Sequence, residues 1–149
     1  MITEFQGPNR FLSNFWPCKI RFEGKLYTSV EHAFVAAKTL DPVKRDVIGK
    51  FATASMAKRY GKTLELRHDW SDIRLSVMES LVRQKFDEPT LQSKLLATGD
   101  QQIEEGNTWN DTFWGVCRGK GANNLGKILM KVRKDIRHAK AGVHTEKEA

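Results

Sequence analysis

Helical periodicity recurs along this chain, and it constrains the fold more than any other feature. In WSDIRLSVMESLVRQKF, residues Ile73, Val77, Met78, Leu81, Val82 and Phe86 fall on one face. Leu125, Ile128, Leu129, Val132 and Ile136 repeat the spacing in a last helix expected to begin near Asn123. Pro and Gly punctuation marks shorter helices: Ser29 to Thr39, a segment from Asp41-Pro42 to about Gly49, Ala54 to Tyr60 before Gly61, and a segment from Pro89 to Gly99. Strand signals are thin. KIRF and KLYT flank a Glu23-Gly24 turn as a hairpin, and QQIEEG and TFWGVC read as weak strands. The expectation is an α+β, helix-rich single domain with a small, mostly antiparallel sheet. It should span residues 1–141, with 142–149 as a flexible tail.

Composition narrows the function classes. No apolar run reaches the length of a membrane span, and MITEFQGPNR lacks the apolar stretch of a signal peptide. Cys18 and Cys117 stand far apart without metal-ligand spacing, as expected of reduced thiols in a cytoplasmic protein. The net charge of +7 is local. Arg118, Lys120, Lys127, Lys131, Arg133, Lys134, Arg137 and Lys140 stand against the single acid Asp135 between residues 118 and 140. Two readings are open: a footprint for phosphate or nucleic acid, or the solvated face of a helix.

The segment TSVEHAFVAAK places a carboxylate, an imidazole and an amine on one short helix. Seven residues separate Glu31 from Lys38, so the two share a face roughly 10 Å apart along the axis. A small ligand could bridge them, with Val35 lying between and Phe34 and Ala37 turned to the core. The structural alternative is a capping box, Thr28 as N-cap and Glu31 reaching back, with Ser29 as a substitute cap. Lys38 then complements the helix dipole, and His32 is a satisfied, half-buried histidine.

The run GNTWNDTFWGVCRGKGANNLGKILMKVR is dense in Gly, Asn and Trp. Gly106, Gly115, Gly119 and Gly121 permit backbone shapes closed to other residues. Trp109 and Trp114 can stack on a base, with Asp111 between them. GKGANNLG leads into a helix whose amides could hold a phosphate beside Lys120. A turn-rich loop with two core tryptophans explains the same residues. NRFLSNFWP sets Arg10, Ser13 and Asn14 among Phe11, Phe15 and Trp16, or is simply an apolar N-terminal strand.

Together FLSNF-x-P, SVEH-x-F-x-x-x-K and N-x-W-x-D-x-x-WG, followed by G-x-N-x-LG-x-x-LM-x-x-R, resemble the NADAR family, also called YbiA-like, from Phe11 to Arg133. The resemblance implies an N-glycosidase that cleaves ribose from an amine nitrogen, with no metal or redox cofactor. Its expected partners are phosphorylated ribosylamino-pyrimidines of riboflavin synthesis or ADP-ribosylated guanine in nucleic acid. Val35 departs from the family, which often carries Gln there, and this puts one amide contact to substrate in doubt. No sequence feature bears on oligomeric state.

In both implied substrates ribose C1 carries an exocyclic amine, so the sugar can ring-open to an imine. A lysine can then exchange for the leaving amine and form a Schiff base. It must be uncharged when it attacks, which requires burial or a nearby cation. Lys38 fits that demand. Glu31 is the first choice for moving protons and Asp111 the second, or an orienting group for ribose. A route without a covalent step, in which Glu31 stabilises an oxocarbenium-like state, is the alternative. Arg10 and Lys120 are assigned to phosphate, Asn14 and Asn123 to ribose or base edges, and Trp114, beside Gly115, to stacking. His32 is assigned to positioning of the bound substrate, and Arg133 either reaches a phosphate or lies on a solvated face. A non-catalytic ADP-ribose or NAD reader and a nucleic-acid-binding domain remain competing functions.

Overall fold

A computed structural model of the chain describes the backbone of residues 1–148 and the side chains of residues 1–142. The fold is α+β. Among the described residues a 3-10 helix (Gly7–Leu12) is followed by β1 (Ile20–Phe22), β2 (Lys25–Tyr27), α1 (Val30–Ala37), α2 (Pro42–Lys50), α3 (Ala54–Gly61) and α4 (Trp70–Lys85). Then come α5 (Pro89–Ala97), β3 (Gly106–Asn107), β4 (Val116–Cys117) and α6 (Asn124–Glu148). The chain divides into two compact units, Arg10–Asp87 and Met1–Asn9 with Glu88–Ala149.

In the unit Arg10–Asp87, β1 and β2 form the expected antiparallel hairpin. Glu23 and Gly24 both take positive φ, 45° and 83°, the backbone of a two-residue turn whose twist suits the strands. Ile20 pairs with Tyr27, and both are buried. The hairpin, α2, α3 and α4 all pack on α1. This explains why α1 is buried on nearly every side rather than along one stripe. Val35, expected on an open face, is fully buried instead. A Cβ placed on Gly61 of α3 would lie 3.0 Å from Val35 Cγ1, so the glycine lets the two helices approach. Gly61 thus closes α3 from inside the helix, not after it.

The stripe expected on α4 is present, with Met78, Leu81, Val82 and Phe86 buried and Ile73 and Val77 half-buried. Lys85 is buried in the same stripe. The segment around Arg10 is no strand but the 3-10 helix and its exit.

In the second unit the sheet is a parallel pair, β3 with β4, and an isolated parallel bridge joins Ile2 and Ile103. The small sheet therefore consists of two separate pairs, one antiparallel and one parallel. Glu88 caps α5 by accepting from the amides of Thr90 and Leu91. On α6, Leu125, Ile128, Leu129 and Val132 are buried as the periodicity predicts. Arg133 is buried too, donating to Thr98 Oγ1 and to the Gln101 carbonyl, each at 2.9 Å. It clamps the turn after α5, so neither the phosphate role nor the solvated face holds for it. The helix α6 is traced to Glu148, and the tail expected beyond residue 141 falls largely on side chains outside the described residues.

The close approach at Gly61 yields a test. Gly61→Ala should force α1 and α3 apart and destabilise the fold by about 1–3 kcal/mol in urea unfolding. An unchanged midpoint would show that Val35 yields without cost.

Candidate active site

Helix α1 brings the two reactive groups together. From Val30 to Thr39 every residue is buried except Glu31 and Lys38, which are half-buried. A carboxylate and an amine thus occupy the two openings in an otherwise sealed helix, on the same face and roughly 10 Å apart along the axis. Ser29 is the N-cap, its hydroxyl accepting from the His32 amide at 3.0 Å. The capping box expected from Thr28 and Glu31 does not form. His32, not Glu31, sits at the third helical position, so capping does not explain the carboxylate. The Glu31 amide instead donates to the Asn14 carbonyl at 3.0 Å.

The far end of α1 is held as firmly. The Arg45 side chain donates to the carbonyls of Ala36 and Thr39, and the Arg67 amide donates to the Lys38 carbonyl at 2.9 Å. These bonds satisfy carbonyls that the end of a helix leaves open, and they fix the backbone from which Lys38 projects. The Lys38 amine lies 5.6 Å from the centre of the Phe34 ring. That ring packs on Trp70 at 5.0 Å. Burial pushes the amine below the ordinary lysine range; Glu31 opposes that shift and Lys58 adds to it. Desolvation and a neighbouring cation thus both act to lower this amine's pKa. Lys58, on α3, is half-buried with its amine 5.8 Å from the Phe15 ring centre.

His32 is 2% exposed. Its Nε2 lies 3.0 Å from the Phe51 carbonyl, which can only accept, so Nε2 carries the proton. Nδ1 then accepts from the Ser29 hydroxyl at 2.6 Å. With both nitrogens engaged inside the protein, His32 positions α1 rather than contacting a substrate. Asn14 is half-buried, its amide donating to Met78 Sδ at 3.5 Å. Arg10 is exposed.

The second constellation lies in the other unit and is largely structural. Asp111 Oδ1 accepts from the amides of Phe113 and Trp114 at 3.2 and 2.9 Å, and Asn107 bonds both the amide and the carbonyl of Asp111. One oxygen of this carboxylate therefore shapes the loop. Asn123, at φ 54°, accepts from the Glu105 amide and donates to the Ile103 carbonyl, so its oxygen and its nitrogen both hold the protein's own backbone. The amides of residues 122–125 donate to the carbonyls of residues 112–115, which removes the phosphate-binding turn expected before α6. A Cβ at Gly115 would lie 2.1 Å from the Glu105 carbonyl oxygen, so that glycine is required by close backbone packing. Trp114 is half-buried and edge-on to Phe113, while Lys120 is exposed.

Comparison with known proteins agrees with this architecture. Residues 3–137 match the NADAR domain. The N-glycosidase YbiA of Escherichia coli is 37% identical over 130 residues, covering 83% of this chain and 79% of that protein. An N-glycosidase of Nostoc punctiforme is 36% identical over 138 residues, 88% of each chain. A riboflavin biosynthesis protein of Vibrio vulnificus is 41% identical over 130 residues, but this chain spans only 35% of its length. The NMR structure of Escherichia coli YbiA superposes with a TM-score of 0.83 at 32% identity, covering 95% of this chain and 88% of that one. The fold is that of an enzyme class whose relatives bear the name N-glycosidase. The chain belongs to the NADAR family.

Sequence reasoning missed Lys58, Trp70 and Lys85. Lys85 carried a signal, since it falls within the α4 stripe three and four residues after Val82 and Leu81. Lys58 and Trp70 carried none, because their placement beside Lys38 and Phe34 depends on tertiary packing.

Two measurements test these placements. Lys58→Met removes a cation that lowers the Lys38 pKa, so the titration of Lys38, read by lysine-selective NMR, should move to higher pH. An unmoved midpoint would leave burial as the sole cause. Asn123→Ala should cost about 1–3 kcal/mol in urea unfolding by stranding two backbone groups. A variant of unchanged stability but raised KM would return Asn123 to a binding role.

Proposed function

We propose that this protein is an N-glycosidase acting on the bond between ribose C1 and an exocyclic amine, with Lys38 as nucleophile and Glu31 as proton carrier. One observation carries the reading: the only openings along the buried α1 helix are a carboxylate and a desolvated amine on the same face. The N-glycosidase names of relatives over most of the chain support it.

The chemistry balances without an added reagent. The nitrogen lone pair expels the ring oxygen, which takes a proton and leaves an imine at C1. Lys38 adds its lone pair to C1, and the resulting aminal breaks its other C–N bond as the leaving amine gains a proton. The Schiff base between Lys38 and C1 then takes up one water, releasing the free sugar and restoring the amine. Glu31 is the group that donates and accepts these protons. Arg10, exposed in the same unit as Lys38 and Glu31, is the candidate for phosphate.

Two substrates contain this bond. The name of the Vibrio relative favours a phosphorylated ribosylamino-pyrimidine. A feature of α6 favours ADP-ribosylated guanine in nucleic acid. Lys127, Lys131, Lys134 and His138 recur at intervals of three or four residues, so they share one face opposite the buried stripe. All four are exposed, and the exposed face through residue 142 has no large apolar side chain. A polyphosphate backbone suits that stripe.

Both substrates should be assayed side by side, with borohydride added during turnover. A sugar adduct on Lys38, absent in Lys38→Ala, is expected from the preferred substrate. Full turnover by Lys38→Ala would overturn the covalent route. Tight ADP-ribose binding without base release from either substrate would make the protein a reader. Glu31→Gln should lower kcat by about 10²–10⁴-fold.

A further inference from the structure

We propose that Lys85 is a positioning residue for this reaction: from inside the core it fixes the Ser13–Asn14 turn, which in turn fixes Glu31. The inference rests on the reading of Glu31 above, and its test separates the two.

Lys85 is 2% exposed and lies in the apolar stripe of α4, where Met or Leu would pack with no desolvation cost. Its amine donates to the Ser13 carbonyl at 2.8 Å and lies 5.1 Å from the Phe86 ring centre. Seven residues earlier on α4, and so on the same face, Met78 Sδ accepts from the Asn14 side-chain amide. Helix α4 thus grips two successive residues at two points, the carbonyl of one and the side chain of the next. Within the turn, the Ser13 amide donates to the Arg10 carbonyl and the Ser13 hydroxyl accepts from the Phe15 amide. Little freedom is left to it. The next bond outward is the one from the Glu31 amide to the Asn14 carbonyl. The path from α4 to the start of α1 therefore runs through Lys85, Ser13 and Asn14, and each step is a direct contact.

A buried ammonium on the Ser13 carbonyl also makes that grip sensitive to charge. Burial lowers the Lys85 pKa to about 7, and Cys18 is the one titratable group whose charge acts on it. Burial holds the Cys18 thiol above its usual range, against the opposing pull of the Lys85 charge. Near neutrality the amine passes between a charge-assisted bond and a weaker neutral one.

The test has a structural and a kinetic arm. In the intact protein, the amide ¹⁵N shifts of Asn14 and Glu31 should titrate with a midpoint of about 7. That titration should persist in Lys38→Met and vanish in Lys85→Met. Lys85→Met should lower kcat about tenfold or more by displacing Glu31, with KM changed less than about twofold. Met78→Leu, which conserves volume and removes only the second grip, should give a smaller loss of kcat and keep the titration, and it serves if Lys85→Met does not fold. Amide shifts that ignore pH near neutrality, or a Lys85→Met enzyme with wild-type kcat, would overturn the proposal. If no substrate turns over in the unaltered protein, the functional reading fails, while the amide titration still decides whether Lys85 controls the turn.

Discussion

The burial of α1 is the constraint on which the rest of the candidate site depends. A helix covered by α2, α3, α4 and the hairpin has no free polar face. Any polar side chain on it must find a partner or reach an opening. Ser29 and His32 take the first course, bonding one another and the Phe51 carbonyl. Glu31 and Lys38 stand half-buried, at openings. The same burial supplies the chemistry, because an amine at the edge of a dry core loses stabilisation of its charged form. Packing and reactivity therefore share one physical cause.

Much of this was legible in the sequence, and the limits follow a pattern. The start of every α-helix was placed within a residue or two, because periodicity and capping are local properties: Asp41-Pro42 before α2 and Pro89 before α5 lie where their chemistry requires. The Glu23-Gly24 turn was legible for the same reason. Strand pairing was not, since the parallel pairing of Gly106 with Val116 joins segments that no local rule relates. At the site, helical spacing put Glu31 and Lys38 on one face. It could not show that Val35, between them, is packed against Gly61. Spacing fixes a residue's direction from the helix axis, while neighbouring helices decide whether anything open lies there.

The Gly- and Asn-rich segment, for which a pocket and a turn-rich loop were both open, is the instructive case. Residues that suit a nucleotide pocket also suit a chain that must fold back on itself at close range. Gly115 and Gly121 are glycines because a carbonyl oxygen lies about 2 Å from where each Cβ would be. Asn107 and Asn123 imitate backbone groups and complete hydrogen bonds that the short β3 and β4 strands cannot supply. Donor and acceptor types were read correctly, but their partners are the protein's own peptide groups. Residue type alone cannot separate the two uses. What separates them is whether the nearest unsatisfied group belongs to the fold.

Three lysines of the Arg10–Asp87 unit show how environment divides one side chain among different tasks. Lys58 is half-buried and acts at a distance, making the charged form of Lys38 less favourable. Lys38 stands at an opening, desolvated enough for its pKa to fall yet not enclosed. Lys85 is enclosed completely, which bars it from attacking a substrate although its pKa is depressed to about 7. A low pKa is thus necessary for a nucleophilic amine but does not identify one, because burial that removes charge can also remove access. Ranked by pKa alone, Lys85 would displace Lys38. Access and the neighbouring carboxylate reverse that order, and they leave the buried amine the task its contacts describe: holding the turn from which the acid is hung.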